Sequence, residues 1–221
     1  MLFADQSLRG DLQLFAERRR GKALAPDGQL HLFDQAGVQP LGRKRPVGLQ
    51  SARQRGGIQP FPGDLGKSLL ELGAGCGALS LVAARYGFAR VVLSDVVEQA
   101  LRFARANVLR NGLGDQIEVT HVDVTAPGRD PRFASGFDII AASEILYLDD
   151  LHRPLVKFVD RHLAPGGKAF FCTDVARAKP HFGKMAAKTF KITEGRIGVK
   201  SQDENGEEQR RLYSILILER P

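Results

Sequence analysis

The stretch "LLELGAGCGALS", residues 69–80, runs from apolar residues into an acid, Glu71, breaks at Gly73, Gly75 and Gly77, and then resumes an Ala/Leu/Val pattern. A short apolar run closed by glycines reads as a buried strand, and the pattern after Gly77 reads as a helix. In open α/β sheets, ligands bind beyond the carboxyl ends of the strands, where the first strand hands over to its helix. Glycines at that handover permit positive backbone dihedrals and let a ligand approach the main chain closely. The spacing does not choose the ligand. "GAGCGA" also satisfies G-x-G-x-x-G/A with Ala78 in last place, so a nicotinamide enzyme stays open at this point.

Strands and helices alternate downstream of this stretch. "SLLEL" is the first strand, "ALSLVAARYG" a helix ended by Gly87, and "ARVVLSD" the second strand. "VEQALRFARANVLRNG" places Val97, Leu101, Ala104 and Val108 on one helical face and stops at Asn111-Gly112. "QIEVTHVDV", "FDIIAASE" and "GKAFFCTD" are further strands, with the helix "DDLHRPLVKFVDRHL" between the last two. "KTFKITEGRIGVK" and "RRLYSILILER" flank the hydrophilic "SQDENGEE", which leaves no room for a crossover helix, so an antiparallel hairpin closes the sheet. The expected fold is α/β: a Rossmann-like, doubly wound, mostly parallel seven-stranded sheet over residues 67–221. Residues 1–66 read differently. "LRGDLQLFAERR" has the spacing of one amphipathic helix, but residues 21–66 are rich in Gly, Pro and Gln without a sustained period, an extension of uncertain order.

Composition narrows the function classes. The 221 residues, 43% of them apolar, suffice for one full core. No run approaches the roughly 18 apolar residues of a membrane span, and "MLFADQSLRGDLQLF" lacks the layout of a secretory signal, so a cytoplasmic location is expected. Cys76 and Cys172 have no metal-ligand spacing and read as packing residues; no metal is expected. His121, His152 and His162 are likewise scattered, as core or surface histidines. The net charge is +7, yet residues 1–66 hold ten Lys/Arg against six Asp/Glu, which leaves only +3 for the rest. With few aromatics among the basic residues, a nucleic-acid partner is disfavoured. Lys184, Lys188 and Lys191 read as the wet side of a helix and its exit.

Three acids narrow the ligand. Glu71, just before the glycines, can accept hydrogen bonds from a ligand's charged amino-acid part, directly or through water. Asp95 closes the second strand, where a carboxylate can accept both hydroxyls of a ribose, a feature shared with dinucleotide folds. Asp123 ends the third strand in "HVDV", placed to meet the exocyclic amine of an adenine. From "LLELGAGCG" through "VVLSD", "HVDV", "FDIIAASEILY", "LAPGGKAFF" and the closing hairpin, the chain resembles a class I, seven-β-strand S-adenosylmethionine-dependent methyltransferase. "ASEILY" after "FDII" most resembles the lysine methyltransferases marked by Asp/Glu-x-x-Tyr/Phe, a group also similar to the nicotinamide N-methyltransferase type. The resemblance implies that Glu71, Gly73, Gly75 and Gly77 line the methionine side of S-adenosylmethionine. It further implies that Asp95 holds the ribose, Asp123 and Val124 the adenine, that Ser143 lies beside the donor, and that Val96 is cofactor-binding as well.

The acceptor question turns on Glu144 and Tyr147, at the carboxyl end of the fourth strand. Displacement from a sulfonium needs a neutral nucleophile held in line, so positioning supplies most of the catalysis. A lysine of pKa about 10.4 is neutral about one time in a thousand near neutral pH, a penalty of roughly 4 kcal/mol. Glu144 would attract the incoming ammonium yet raise its pKa, which suits capture and alignment rather than a base role. Tyr147 offers a cation–π face or a hydroxyl acceptor. Methylases of base amines or glutamine usually show Asn/Asp-Pro-Pro-Tyr/Phe where this chain has "SEIL", and Cys172 is poorly placed to serve as a cytosine-carbon nucleophile. The sequence therefore points to a lysine side chain of a protein partner. A small-molecule N- or O-methyltransferase is one alternative, and a non-catalytic binding module retaining the fold is the other. One departure stands upstream: relatives of this type usually carry a Trp-containing helix there, and this chain has no Trp. Either a different element replaces that lid, or the extension is an out-of-frame translation, which the coding DNA upstream of Lys67 would reveal.

Overall fold

Five short apolar runs alternate with helical ones, and burying both faces of such runs requires helices above and below a parallel sheet. The computed structural model describes residues 66–126, 128–178, 180–202 and 208–221. The expected N-terminal extension, apart from Gly66, lies outside the described residues, as do residues 203–207 of the closing hairpin. In chain order the elements are β1 (Ser68–Leu72), α1 (Ala78–Arg85), β2 (Arg90–Asp95), α2 (Glu98–Arg110), β3 (Ile117–His121) and β4 (Phe137–Ser143). There follow α3 (His152–His162), β5 (Leu163–Asp174), α4 (Pro180–Ala186), β6 (Lys191–Gln202) and β7 (Glu208–Glu219).

The sheet has seven strands in the order β3-β2-β1-β4-β5-β7-β6. β1 pairs in parallel with β2 and with β4, β2 with β3, and β4 with β5. β7 runs antiparallel to both β5 and β6, so it alone is reversed, as the hairpin reading requires. The chain travels outward from β1 through β3 and returns to β4 on the other side of β1. That reversal of strand order opens a crevice at the carboxyl ends of β1 and β4.

Each sheet face is sealed by its own apolar cluster. Leu155, Val159 and Phe158 of α3 pack with Leu70, Ile140 and Phe171 on one face, and Leu101, Ala104 and Val108 of α2 pack with Val91 and Leu93 on the other. Val97, read from the sequence as part of the α2 stripe, instead precedes the helix and is exposed. Three strand ends also differ from the sequence reading. β3 stops at His121: the Val122 N–H makes the last rung to β2, donating to the Asp95 carbonyl at 3.2 Å, and the backbone then turns away. Asp123 therefore lies in the turn beyond the strand rather than at its end. β4 stops one residue short of Glu144, whose φ of 59° breaks extended backbone. β5 begins earlier than expected, at Leu163, and its pairing with β4 shifts register between Phe137 and Ile139. The histidines divide as packing dictates: His152 and His162 are buried and His121 is exposed. Cys172 is buried and Cys76 half-buried.

Candidate active site

The glycine turn is built around two carboxylates. Glu71, fully buried on β1, accepts hydrogen bonds at Oε2 from the Ser80 N–H at 2.9 Å and the Ser80 hydroxyl at 2.7 Å. Ser80 lies in the first turn of α1, so the acid ties the strand to a helix end that lacks intrahelical partners and favours negative charge. Asp95, at the end of β2, accepts the Gly75 N–H at Oδ2 (2.8 Å) and the Val97 N–H at Oδ1 (2.9 Å). One carboxylate thus joins the glycine turn to the β2–α2 turn. The Cys76 carbonyl is fixed from behind by the buried Asn107 side chain at 3.0 Å.

Gly73, Gly75 and Gly77 have φ of 61°, 56° and 81°, values that disfavour any other residue. They differ in what surrounds them. A Cβ at Gly73 would stand 2.6 Å from Ile145 Cγ2, and one at Gly77 would overlap Leu93 Cδ1. A Cβ at Gly75 would meet nothing within 4 Å. Gly73 and Gly77 are therefore closed by packing, and Gly75 presents open main chain beside Asp95. Val96, next to that acid, is 57% exposed.

Asp123 sits further along the same edge, in a local turn. Its Oδ1 accepts the Thr125 hydroxyl at 2.7 Å and the Thr125 N–H at 2.8 Å, and these bonds hold its carboxyl below the usual carboxylate range. Val124 is half-buried against the β4–α3 cluster. Ser143 ends β4, half-buried, opposite Cys172 of β5. Glu144 follows, with its N–H donating to the Cys172 carbonyl at 2.9 Å and its Oε1 accepting the Asp174 N–H at 2.7 Å. Its Oε2 stands 3.8 Å from Arg177 Nη1. Tyr147 is 60% exposed, and Leu148 beside it is exposed as well. Behind them the buried His152 places Nε2 2.9 Å from the Leu146 carbonyl, which holds the loop that carries Tyr147.

The sheet thus collects the sequence-predicted residues along one edge, and adds Ser80, Asn107, His152 and Arg177. The sequence carried a partial signal for Asn107, a polar residue one position before Val108 on an apolar face. It carried none for Arg177, whose link to Glu144 spans two strands. The open main chain at Gly75, the acid at Asp95 and the apolar Val96 and Val124 fit an adenosyl cofactor: a sugar needs an acceptor oxygen, and an adenine needs apolar cover. Among the described residues no three His, Cys, Asp or Glu side chains cluster as a metal site, and no helix is long and apolar enough to cross a membrane.

A single reversed strand set between β5 and the edge strand β6, with a glycine turn and an acid at the ends of β1 and β2, defines the class I S-adenosylmethionine-dependent methyltransferase fold. A TehB-like SAM-dependent methyltransferase from Corynebacterium glutamicum superposes with a TM-score of 0.55 at 14% identity, over 78% of this chain and 94% of that one. The precorrin-6y C5,15-methyltransferase of Geobacter metallireducens does so at 0.55 and 15%, over 84% and 94%. At such identities the likeness is one of fold. The lysine methyltransferase family model matches residues 56–188, more than half of the chain, and the chain belongs to that family, for which S-adenosylmethionine is the cofactor. Among curated relatives, the ubiquinone biosynthesis O-methyltransferase of Photorhabdus laumondii is 33% identical over 135 residues, 61% of this chain and 52% of that protein. The ribosomal protein L11 methyltransferase of Desulforamulus reducens is 41% identical over 97 residues, 44% and 30% of the two chains. The chain spans about half the length of the ubiquinone-pathway relatives it matches.

Proposed function

We propose that this protein transfers a methyl group from S-adenosylmethionine to the nitrogen of a lysine side chain on a protein partner. The observation that carries the reading is the pair Glu144 and Tyr147 at the carboxyl end of β4, one strand from the glycine turn, in a chain of the lysine methyltransferase family. Glu71, Gly73, Gly75 and Gly77 would hold the cofactor's methionine end, Asp95 and Val96 its ribose, Asp123 and Val124 its adenine, with Ser143 beside the donor. The cofactor supplies an electrophilic methyl group on a sulfonium. The Glu144 side chain draws the acceptor's ammonium to the end of β4, and Tyr147 lends an aromatic face to the same cation. Once the acceptor's proton has left to solvent, those two residues keep the neutral amine aligned.

The test is transfer of a labelled methyl group from S-adenosylmethionine into proteins of a lysate, with the label then assigned by residue. Label on lysine, lost in Glu144→Gln while calorimetric affinity for S-adenosylhomocysteine stays near wild type, supports the reading. Normal transfer by Glu144→Gln removes its proposed role. The ubiquinone-pathway relatives favour a second reading, methylation of a small-molecule oxygen. Label recovered in a small organic fraction and absent from protein would select it. Cofactor binding with no transfer to either fraction would select a binding module.

A further inference from the structure

The two oxygens of Glu144 face two different kinds of partner. Oε1 accepts a main-chain donor, the Asp174 N–H, at 2.7 Å. Oε2 faces Arg177 Nη1 at 3.8 Å, beyond hydrogen-bond length, and the Arg177 side chain is 67% exposed against 20% for Glu144. Arg177 closes a 3-10 turn, Val175–Arg177, whose start is pinned because the Asp174 carboxylate accepts the Ala176 N–H at 3.0 Å. The turn is anchored at Asp174, and the cation at its far end is loosely held and mostly in water. One oxygen of Glu144 is committed to the fold. The other has among its neighbours a cation with room to move outward.

We propose that Arg177 is a displaceable counter-cation, which screens Oε2 of Glu144 until the ammonium of the methyl acceptor takes that oxygen. The proposal rests on the reading of Glu144 as the residue that meets the acceptor. Two cations on one carboxylate oxygen repel each other, so entry of an ammonium must move the guanidinium outward, and its exposure leaves space for that movement. A neutral acceptor can donate a hydrogen bond to Oε2 but carries no charge that would repel Arg177 from it. The arginine thus competes with a cationic acceptor for Glu144 and lowers its affinity, while screening the carboxylate before one arrives. No bond is made or broken in the exchange, which is a swap of ion-pair partners.

The experiment titrates the full chain, with S-adenosylhomocysteine added, with Nα-acetyl-lysine methylamide. The neutral norleucine analogue is the control, and the amide signals of Glu144, Asp174 and Ala176 are followed by NMR. Initial slopes of shift against concentration compare variants even when binding is weak. Arg177→Gln is expected to bind the lysine probe about two- to fivefold more tightly than wild type, the range set by an exposed ion pair, and the gain should shrink with added salt. Glu144→Gln, which keeps an oxygen for the Asp174 N–H, should lose the response. Equal or weaker binding by Arg177→Gln, with the response still lost in Glu144→Gln, overturns the counter-cation role and leaves the acceptor reading intact. An unchanged response in Glu144→Gln, or no difference between the lysine and norleucine probes, overturns both.

Discussion

Gly75→Ala and Gly77→Ala are two single-methyl changes, two residues apart, and the structure expects opposite failures from them. Both positions have positive φ, 56° and 81°. An alanine there costs about 1–2 kcal/mol in backbone strain, offset by about 0.4–1 kcal/mol from a less flexible unfolded chain. At Gly75 nothing lies within 4 Å of the new Cβ, so the net loss stays near 0.5–1 kcal/mol on those terms. At Gly77 the Cβ overlaps Leu93 Cδ1, and Leu93 is fully buried among Leu101, Ala104 and Val91. Relieving that overlap in a packed core adds about 1–3 kcal/mol, for a total of roughly 1.5–4 kcal/mol. Denaturant unfolding measures the stabilities, and calorimetry with S-adenosylhomocysteine measures the site. Gly75→Ala should unfold near the wild-type midpoint and bind the product at least about tenfold more weakly, a loss of about 1.4 kcal/mol. Gly77→Ala should be clearly destabilised. Wild-type affinity in Gly75→Ala would refute the claim that this turn opens toward the cofactor, and wild-type stability in Gly77→Ala would refute the packing account.

Asp95→Ala should weaken S-adenosylhomocysteine binding severely, and unchanged calorimetric affinity would remove Asp95 from the cofactor site. His162 predicts a pH dependence of stability. It is almost wholly buried, its Nε2 accepts the Asp130 N–H at 3.1 Å, and Nδ1 therefore carries the proton donated to the Phe158 carbonyl at 3.0 Å. Burial holds its pKa below the ordinary value of 6.5. The unfolded chain then takes up the proton first as pH falls through about 6.5, so stability drops below that pH and levels off only beneath the folded-state pKa. Melting temperatures should be flat above pH about 7.5 and decline below about 6.5, with the decline reduced in His162→Phe; an identical slope in that variant would contradict the buried neutral state.

The sheet was legible because its signals are local. Apolar runs of strand length, glycines closing the first strand and its helix, and a loop too short for a crossover helix sufficed to find seven strands and close the sheet with an antiparallel hairpin. The ends of strands were less legible because long-range bonds set them. β3 ends at His121, past which Val122 makes only a last rung to the Asp95 carbonyl, 27 positions away, and β4 stops where Glu144 adopts a φ that its residue type does not announce. Val97 shows the same limit: its spacing matches the α2 stripe, yet the Asp95 carboxylate takes its N–H and makes it the residue before the helix. Arg177 had no signal at all, since only the pairing of β4 with β5 brings its turn to Glu144.

The four acids read from sequence as ligand holders share one further property. Glu71 accepts the Ser80 N–H, Asp95 those of Gly75 and Val97, Asp123 that of Thr125, and Glu144 that of Asp174. Each acid lies where the chain is leaving a strand or has just left one, and N–H groups there have lost ladder or helical partners. A carboxylate satisfies them, and its roughly four lone-pair sites leave acceptor capacity for a ligand. The two duties are compatible, but alanine abolishes both at once. An amide separates them in part, because Asn or Gln keeps one oxygen for a main-chain donor while the negative charge is gone; at Asp95, whose two oxygens hold the Gly75 and Val97 N–H groups, one of the two bonds remains. If Asp95→Asn and Asp95→Ala weaken product binding equally while Asp95→Asn still unfolds at the wild-type midpoint, the contact to the ribose dominates. If Asp95→Asn recovers most of the affinity, the alanine phenotype reflects a loosened glycine turn, and the assignment of Asp95 as the ribose acceptor fails.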